Sequence, residues 1–387
     1  MPRSLDTLAV HAGDVPGDDG ALDPPVVLSN AYAFPDAEEA AARFRPGGEG
    51  YIYSRWRNPT VDALEAKLAA LEGAEEAVCL ASGMAALHAL FAGHLAAGDE
   101  VLAATSLYAE TVRLLRDHFT SFGVTVRFVE GTPEAIAAAV TERTKLVHVE
   151  TPANPTLRIV DLAGVVEAVG GRALVSVDGT FATPYHQRPL EQGADLVVHS
   201  TTKGLSGHGD AVGGVVAGRR EVVDPVRKVG TRTCGGVLAP LTAMLVGRGV
   251  RTLGVRMAKA SENARILARR LEEDRRIAKV HYPGLPSDPG HEVAARQMSR
   301  GFGPVLAFEV EGGLEAGRRA YDRVALIARA VSLGDVRSLL THAASTTHAS
   351  LSAEERSRAG LSDGLLRLSA GIEDVEDLWA DLDGALG

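Results

Sequence analysis

The chain has few cysteines: two in 387 residues, Cys79 and Cys234. Cys79 lies in the apolar run Ala77-Val78-Cys79-Leu80, and Cys234 in a glycine-rich loop. Two such residues make no disulfide framework, so a reducing cytoplasm is the expected compartment. A basic excess is missing too. The formal net charge of −10 excludes a general binder of nucleic acid or anionic membrane, both of which call for a broad basic surface. It leaves room for a small positive pocket. No apolar run is clean enough to span a membrane: the least polar stretch, Ala77 to Gly98, contains Ser82, His88 and His94. Met1 to Val10 has no apolar h-region, so no signal peptide is expected. Several catalytic signatures are also lacking. There is no GxxxxGK[ST], no GxSxG elbow, no second histidine to complete a zinc helix at His291-Glu292, and no histidine spacing suited to a metal. Gly207 to Gly213 approximates a dinucleotide fingerprint but carries one residue too many, and no helix clearly follows it. That weakens a nicotinamide dehydrogenase reading.

What remains is ordinary globular composition, 45% apolar and 23% charged. The chain is long enough for two or three domains and for a core that needs no metal. Residues 1–60 are punctuated by prolines and glycines and predict an extended arm packed on another surface. Residues 61–248 alternate helical and β-branched segments. Helices are expected over Val61–Leu71 and Gly83–Leu95. Strands are expected over Glu76–Leu80, Glu100–Ala104, Thr144–Val149, Ala173–Val177 and Asp195–His199. This alternation predicts an α/β fold with a mostly parallel central sheet covered on both faces, binding its ligand at the carboxyl ends of the strands. Leu241 to Arg270 reads as one long helix. Residues 249–387 then mix strands and helices (Val305–Val310, Glu315–Val324, Ala328–Leu333, Leu365–Ser369) and predict a smaller C-terminal α/β domain.

Two strand ends carry chemistry. One delivers Asp178; the other ends in His199-Ser200-Thr201-Thr202-Lys203. Pyridoxal phosphate needs that combination: a lysine to form a Schiff base and a carboxylate to keep the pyridine nitrogen protonated. On local pattern alone, an N-cap aspartate and a surface lysine explain the same residues. A third strand end, Ala81-Ser82-Gly83-Met84, opens a helix whose first N–H groups suit a phosphate, or is simply capped by Ser82. Arg55, in the polar and aromatic segment 53–60, could grip phosphate with two hydrogen bonds. Tyr108 could stack on a ring. Glu150 and Asn154 flank prolines after a strand. Arg367, in an apolar strand, needs an anion if buried, and a substrate carboxylate would serve.

Together these segments resemble the Cys/Met-metabolism family of pyridoxal-phosphate enzymes. The resemblance runs over nearly the whole chain and its motifs come in family order: YSRWRNPT at 53–60, SGMAA at 82–86, ETPANP at 150–155, VDGTFATP at 177–184, GADLVVHSTTK at 193–203, AVSLGD at 330–335 and LLRLSAGIEDVEDL at 365–378. It implies the fold type I architecture of aspartate aminotransferase and a homotetramer built from two active dimers. By resemblance, Lys203 carries the cofactor and shuttles protons, Asp178 pairs with the pyridine nitrogen, and Tyr108 stacks on the ring and assists the leaving group. Gly83, Met84, Ser200 and Thr202 hold the phosphate, while Tyr53 and Arg55 reach the phosphate of a neighbouring subunit. Ser332 and Arg367 bind the substrate carboxylate.

The chain departs from the family at several points. Gly179 stands where asparagine is common, and Gly209 where serine is familiar. AVSLGD is similar to methionine γ-lyases, with Val331 where cystathionine γ-lyases have glutamate. Glu110 stands where methionine γ-lyases usually carry cysteine, and Thr231-Arg232 where a Lys-Asp pair is expected. Ala344 to His348 looks like an O-acylhomoserine sulfhydrylase. The resemblance therefore implies γ-elimination of methionine, with Glu110 and Val331 near the substrate. The alternatives are γ-replacement by an O-acylhomoserine sulfhydrylase or cystathionine γ-synthase, and elimination by a cystathionine γ-lyase. A non-catalytic binding protein on this fold would be expected to lack the lysine or the aspartate, and both are present.

Overall fold

A computed structural model describes residues 3–14, 20–45, 47–347, 349, 354, 356 and 361–387. Two sheets organise it. The larger has seven strands: β1 (Glu76–Leu80), β2 (Glu100–Ala104), β3 (Thr125–Val129), β4 (Thr144–Glu150), β5 (Leu174–Asp178), β6 (Leu196–Ser200) and β7 (Gly214–Gly218), in the order β1-β7-β6-β5-β4-β2-β3. Neighbours from β3 across to β6 pair in parallel, and β7 is antiparallel to both β6 and β1. Strands 101–104, 146–150, 175–178 and 196–199 are buried along their length, as continuous apolar runs covered on both faces must be.

Helix α1 (Leu5–His11) and helix α2 (Ala37–Phe44) lie within the first sixty residues. The arm is therefore not wholly extended: these helices, of seven and eight residues, are too short to show clear periodicity. Helix α3 (Pro59–Glu72) starts at an Asn58 cap and stops at Gly73 in the left-handed conformation. Helix α4 (Gly83–His94) starts at Ser82, whose Oγ accepts the Ala85 N–H, and buries Leu87, Leu90 and Phe91 against the sheet. Burial of each of these side chains contributes about 1.5–3 kcal/mol.

The expected long helix is two, Pro240–Val250 and Leu253–Glu272. The Gly249 carbonyl accepts from the Thr252 N–H, the Thr252 hydroxyl and the Arg256 guanidinium, which hold the turn between the helices. That capture is tertiary and leaves no mark in the periodicity. The second sheet has five strands: β8 (Ile277–His281), β9 (Val305–Val310), β10 (Ala328–Arg329), β11 (Leu339–His342) and β12 (Leu365–Ser369), in the order β10-β11-β12-β9-β8. It is antiparallel except for β10 with β11. The segment Glu315–Val324 belongs to a helix, Gly313–Arg323. The strand expected over Ala328–Leu333 shortens to two residues because 331–333 turn away to line a cavity. Among the described residues, no helix is long and apolar enough to cross a membrane.

Candidate active site

The ends of β4, β5 and β6 open on a cavity of about 310 Å3, the size of a small-molecule site. Its wall includes Gly83, Met84, Tyr108, Asp178, Ser200, Thr202, Lys203, Val331, Ser332 and Arg367. Ten of the residues singled out in the sequence thus meet in one place.

The N-terminus of α4 and the end of β6 make one end of the cavity. Gly83 is required there by space: a Cβ would lie 2.9 Å from the Cβ of Ser200. The close approach puts the first N–H groups of α4 beside the Ser200 hydroxyl, a cradle suited to phosphate. Thr202 lines the same end, but its Oγ already accepts the Gly213 N–H at 3.1 Å and donates to the Gly213 carbonyl at 3.2 Å. The floor is Asp178, 8% exposed. Its Oδ1 accepts the Thr180 N–H at 2.9 Å, and Thr180 Oγ1 accepts the Ser200 N–H at 2.9 Å. Burial raises the carboxyl's pKa, so a cationic partner in the cavity would stabilise its anion.

Lys203 follows β6. Its Nζ donates to Ser332 Oγ at 2.7 Å, and its pKa is lowered, by burial first and by the charge of Arg367 second. A neutral amine is the form that condenses with an aldehyde. Ser332 comes from the loop before β11 and has φ 122°, a region that side chains rarely adopt; such strain clusters at functional positions. Two residues on, Gly334 has φ 75°, and a Cβ there would sit 2.4 Å from the Gly204 nitrogen. The loop thus rests on the backbone that carries the lysine.

Arg367 in β12 is 5% exposed. Nη1 donates to Asn154 Oδ1 at 2.7 Å and Nη2 to the Ser332 carbonyl at 2.8 Å, while Nε is buried with no partner among the described residues. Among the described residues no carboxylate forms an ion pair with it, and burial pulls its pKa down to about 10. A buried cation with a vacant donor suits a small carboxylate. Tyr108, 40% exposed, stands at the start of the helix α5 (Ala109–Arg113). Burial raises its hydroxyl's pKa, with the nearby Glu110 charge adding to it, so the phenol keeps its proton. Val331 is 59% exposed at the rim.

Three singled-out residues lie outside this cavity. Glu110 pairs with Arg113 at 2.9 Å and lines a neighbouring cavity with His88, His118 and Cys234. Arg55 donates to the Arg232 carbonyl, and Tyr53 lies beneath its guanidinium. The two glycine departures have steric counterparts. A Cβ on Gly179 would meet His199 Cε1 at 2.8 Å, and one on Gly209, at φ 69°, would meet Asp335 Oδ2 at 2.4 Å. Of the segment 344–348, Thr347 lines the cavity, and His348 lies outside the described residues. Sequence reading left Thr180 and Phe181 without a role. Both lie within three residues after the aspartate of a strand end, which is the signal that could have found them.

The cavity therefore offers what pyridoxal phosphate requires: an N–H cradle beside the Ser200 hydroxyl for its phosphate, a carboxylate for its ring nitrogen and, for its aldehyde, an amine whose charged form burial disfavours. Comparison with known proteins agrees. The model of the Cys/Met metabolism PLP-dependent enzyme family matches residues 6–387. The L-methionine gamma-lyase of Pseudomonas putida is 46% identical over 384 residues, which cover 98% of this chain and 96% of that one. The O-succinylhomoserine sulfhydrylase of Pseudomonas aeruginosa is 43% identical over 382 residues, 98% of this chain and 94% of that one. Among solved structures, cystathionine gamma synthase of Xanthomonas oryzae pv. oryzae, in complex with aminoacrylate and cysteine, superposes with a TM-score of 0.93 at 41% identity, covering 100% of this chain and 98% of that one. The chain belongs to the Cys/Met metabolism family of fold type I enzymes, which work on carbon–sulfur bonds with pyridoxal 5'-phosphate.

Proposed function

We propose that this enzyme is a methionine γ-lyase, converting L-methionine and water to 2-oxobutanoate, ammonia and methanethiol. The observation that carries this reading is the apolar lining at Val331 and Leu333, on either side of Ser332, with no charged residue at position 331 to meet a second amino acid. The methionine γ-lyase relatives support it.

The bound cofactor supplies an electron sink that makes the substrate's Cα–H acidic. The chain's residues do the rest. Arg367 and Asn154 hold the substrate carboxylate and so fix the direction in which Cα presents its proton. The Lys203 amine, oriented by Ser332, takes that proton and, after passing it on, one from Cβ, whose electron pair expels the sulfur from Cγ. Asp178 keeps a proton on the ring nitrogen. Tyr108, protonated at neutral pH, gives its proton to the departing sulfur.

Tyr53 and Arg55 act, on this reading, in a second copy of the chain. Leu22, Leu28, Phe44 and Tyr53 are 85%, 66%, 58% and 41% exposed, an apolar arm surface that a homo-oligomer would cover. A dimer of dimers in a reducing cytoplasm fits it. A second reading, γ-replacement on an O-acylhomoserine, is favoured by Thr347 in the cavity wall and by the sulfhydrylase relative. Assaying the purified holoenzyme with methionine alone, and in parallel with O-acetylhomoserine plus sulfide, separates the two. Methionine giving neither 2-oxobutanoate nor thiol sinks the first.

A further inference from the structure

Glu150 ends β4 as Asp178 ends β5, and the two are Cα partners across the parallel pair. Glu150 is 4% exposed. Its Oε2 accepts the Tyr108 N–H at 2.6 Å, and its Oε1 accepts the Asn154 N–H at 2.9 Å. Asn154 Oδ1 in turn accepts from Arg367 at 2.7 Å. One carboxylate is thus bonded both to the residue whose ring faces the cavity and to the loop that steers the buried arginine.

We propose that Glu150 is a positioning residue that holds Tyr108 and the Asn154–Arg367 carboxylate clamp in one fixed relation. This rests on the cavity being the site of the cofactor and an amino acid, and not on which group leaves the γ-carbon.

Two N–H donors converging on one side chain need two acceptor oxygens. A carboxylate has both. An amide has one, and turns its NH2 against the other donor. The arrangement is held against an electrostatic cost: burial first, and the neighbouring Asp178 second, raise the Glu150 pKa. The two N–H bonds oppose that shift by favouring the anion. The geometry also separates Glu150 from the phosphate end, which is built by α4 and β6.

The test uses the holoenzyme with Glu150→Gln, Glu150→Asp, Asn154→Ala and the Glu150→Gln/Asn154→Ala pair. Glycine is the probe, titrated against the visible absorption of the bound cofactor, because it has a carboxylate and an amine but no γ-carbon. It therefore reports on the clamp even if methionine is not the substrate. Glu150→Gln is expected to weaken glycine about tenfold and to lower kcat/KM for the best substrate about 100-fold, the scale of a small misplacement of reacting groups. Cofactor affinity should stay within about threefold, while the visible circular dichroism of the bound cofactor changes. Glu150→Asp, which keeps both oxygens, should recover part of the loss. The double variant should bind glycine no worse than about twofold below the weaker single variant, since both act through one clamp. Additive losses overturn the proposal, as does a Glu150→Gln enzyme with wild-type glycine affinity and kcat/KM. Loss of cofactor from both Glu150 variants also overturns it, because Glu150 would then support the whole pocket. If Glu150→Gln does not fold, Glu150→Asp with Asn154→Ala makes the same cycle with the same two outcomes.

Discussion

The two ends of the cavity are built differently. The cofactor end is made by neighbouring strand ends of one mostly parallel sheet: Asp178 and Ser200 close β5 and β6, and α4 opens just after β1. The substrate end is assembled from the loop 331–333, Thr347 and Arg367, parts brought together around a second, mainly antiparallel sheet. Parallel strands fix what lies at their ends to within a residue. Loops leave their side chains open to exchange. The first construction suits a cofactor that does not change, the second a substrate that does.

Lys203 spans both ends, since it follows β6 and bonds Ser332. Lys203→Ala should therefore have the largest effect: a loss of roughly 10⁴-fold in kcat/KM, the upper range for a general base. Borohydride reduction followed by peptide mass analysis should no longer find cofactor attached at position 203. Arg367→Ala should break the substrate end alone. A loss of about 10²-fold in kcat/KM is expected, mostly through KM, as for a truncated buried charge pair. Cofactor affinity measured by dialysis should hardly move; if it falls in parallel, the two ends are not separable.

A pH experiment examines the support of the cofactor end. His148 in β4 and His186 are fully buried, and burial depresses their pKa values to about 3 and about 4. Between those values and the ordinary 6.5 of an unfolded histidine, the unfolded chain binds more protons than the folded one. Their stabilisation is therefore complete above pH 6.5 and is lost as pH falls through the folded values. Glu150 and Asp178, both raised by burial, have the opposite sign: their contribution declines as pH rises above their unfolded values. Comparing a histidine variant with wild type from pH 6.5 to 4.5 isolates the histidine contribution from that of the carboxyls. A His148→Gln variant should lose about 2 kcal/mol less over that window, because the unfolded histidine is already half protonated at its upper edge. Equal losses in variant and wild type count against this account. The smallest effect is expected at the rim. Val331→Glu should lower kcat/KM for methionine about tenfold and raise that for cystathionine, a change worth one pocket contact. Steady-state rates with both substrates check it.

Much of the cofactor end was legible in the sequence. A β-branched run that stops at Asp178, or at Ser200 and Lys203, announces both the strand and its chemistry. Glu150 was visible only as a residue flanking prolines. Its hydrogen bonds reach 42 residues back and four forward, to backbone N–H groups that carry no residue signature. The break between Val250 and Leu253 was hidden for a similar reason, because side-chain capture of one carbonyl leaves helical periodicity intact. Glu110 was read by sequence position alone, and the pairing with Arg113 turns it toward another cavity.

The seat of Gly334 on the Gly204 backbone has a consequence for how such an enzyme can change. The Lys203 segment and the loop 331–334 are packed directly on one another, so on the proposed reading an exchange at 331 is expected to alter what is admitted without displacing Lys203. Selectivity can therefore drift by single side chains on a loop whose path is already set, and new substrates are reachable in small steps from an intact reaction centre.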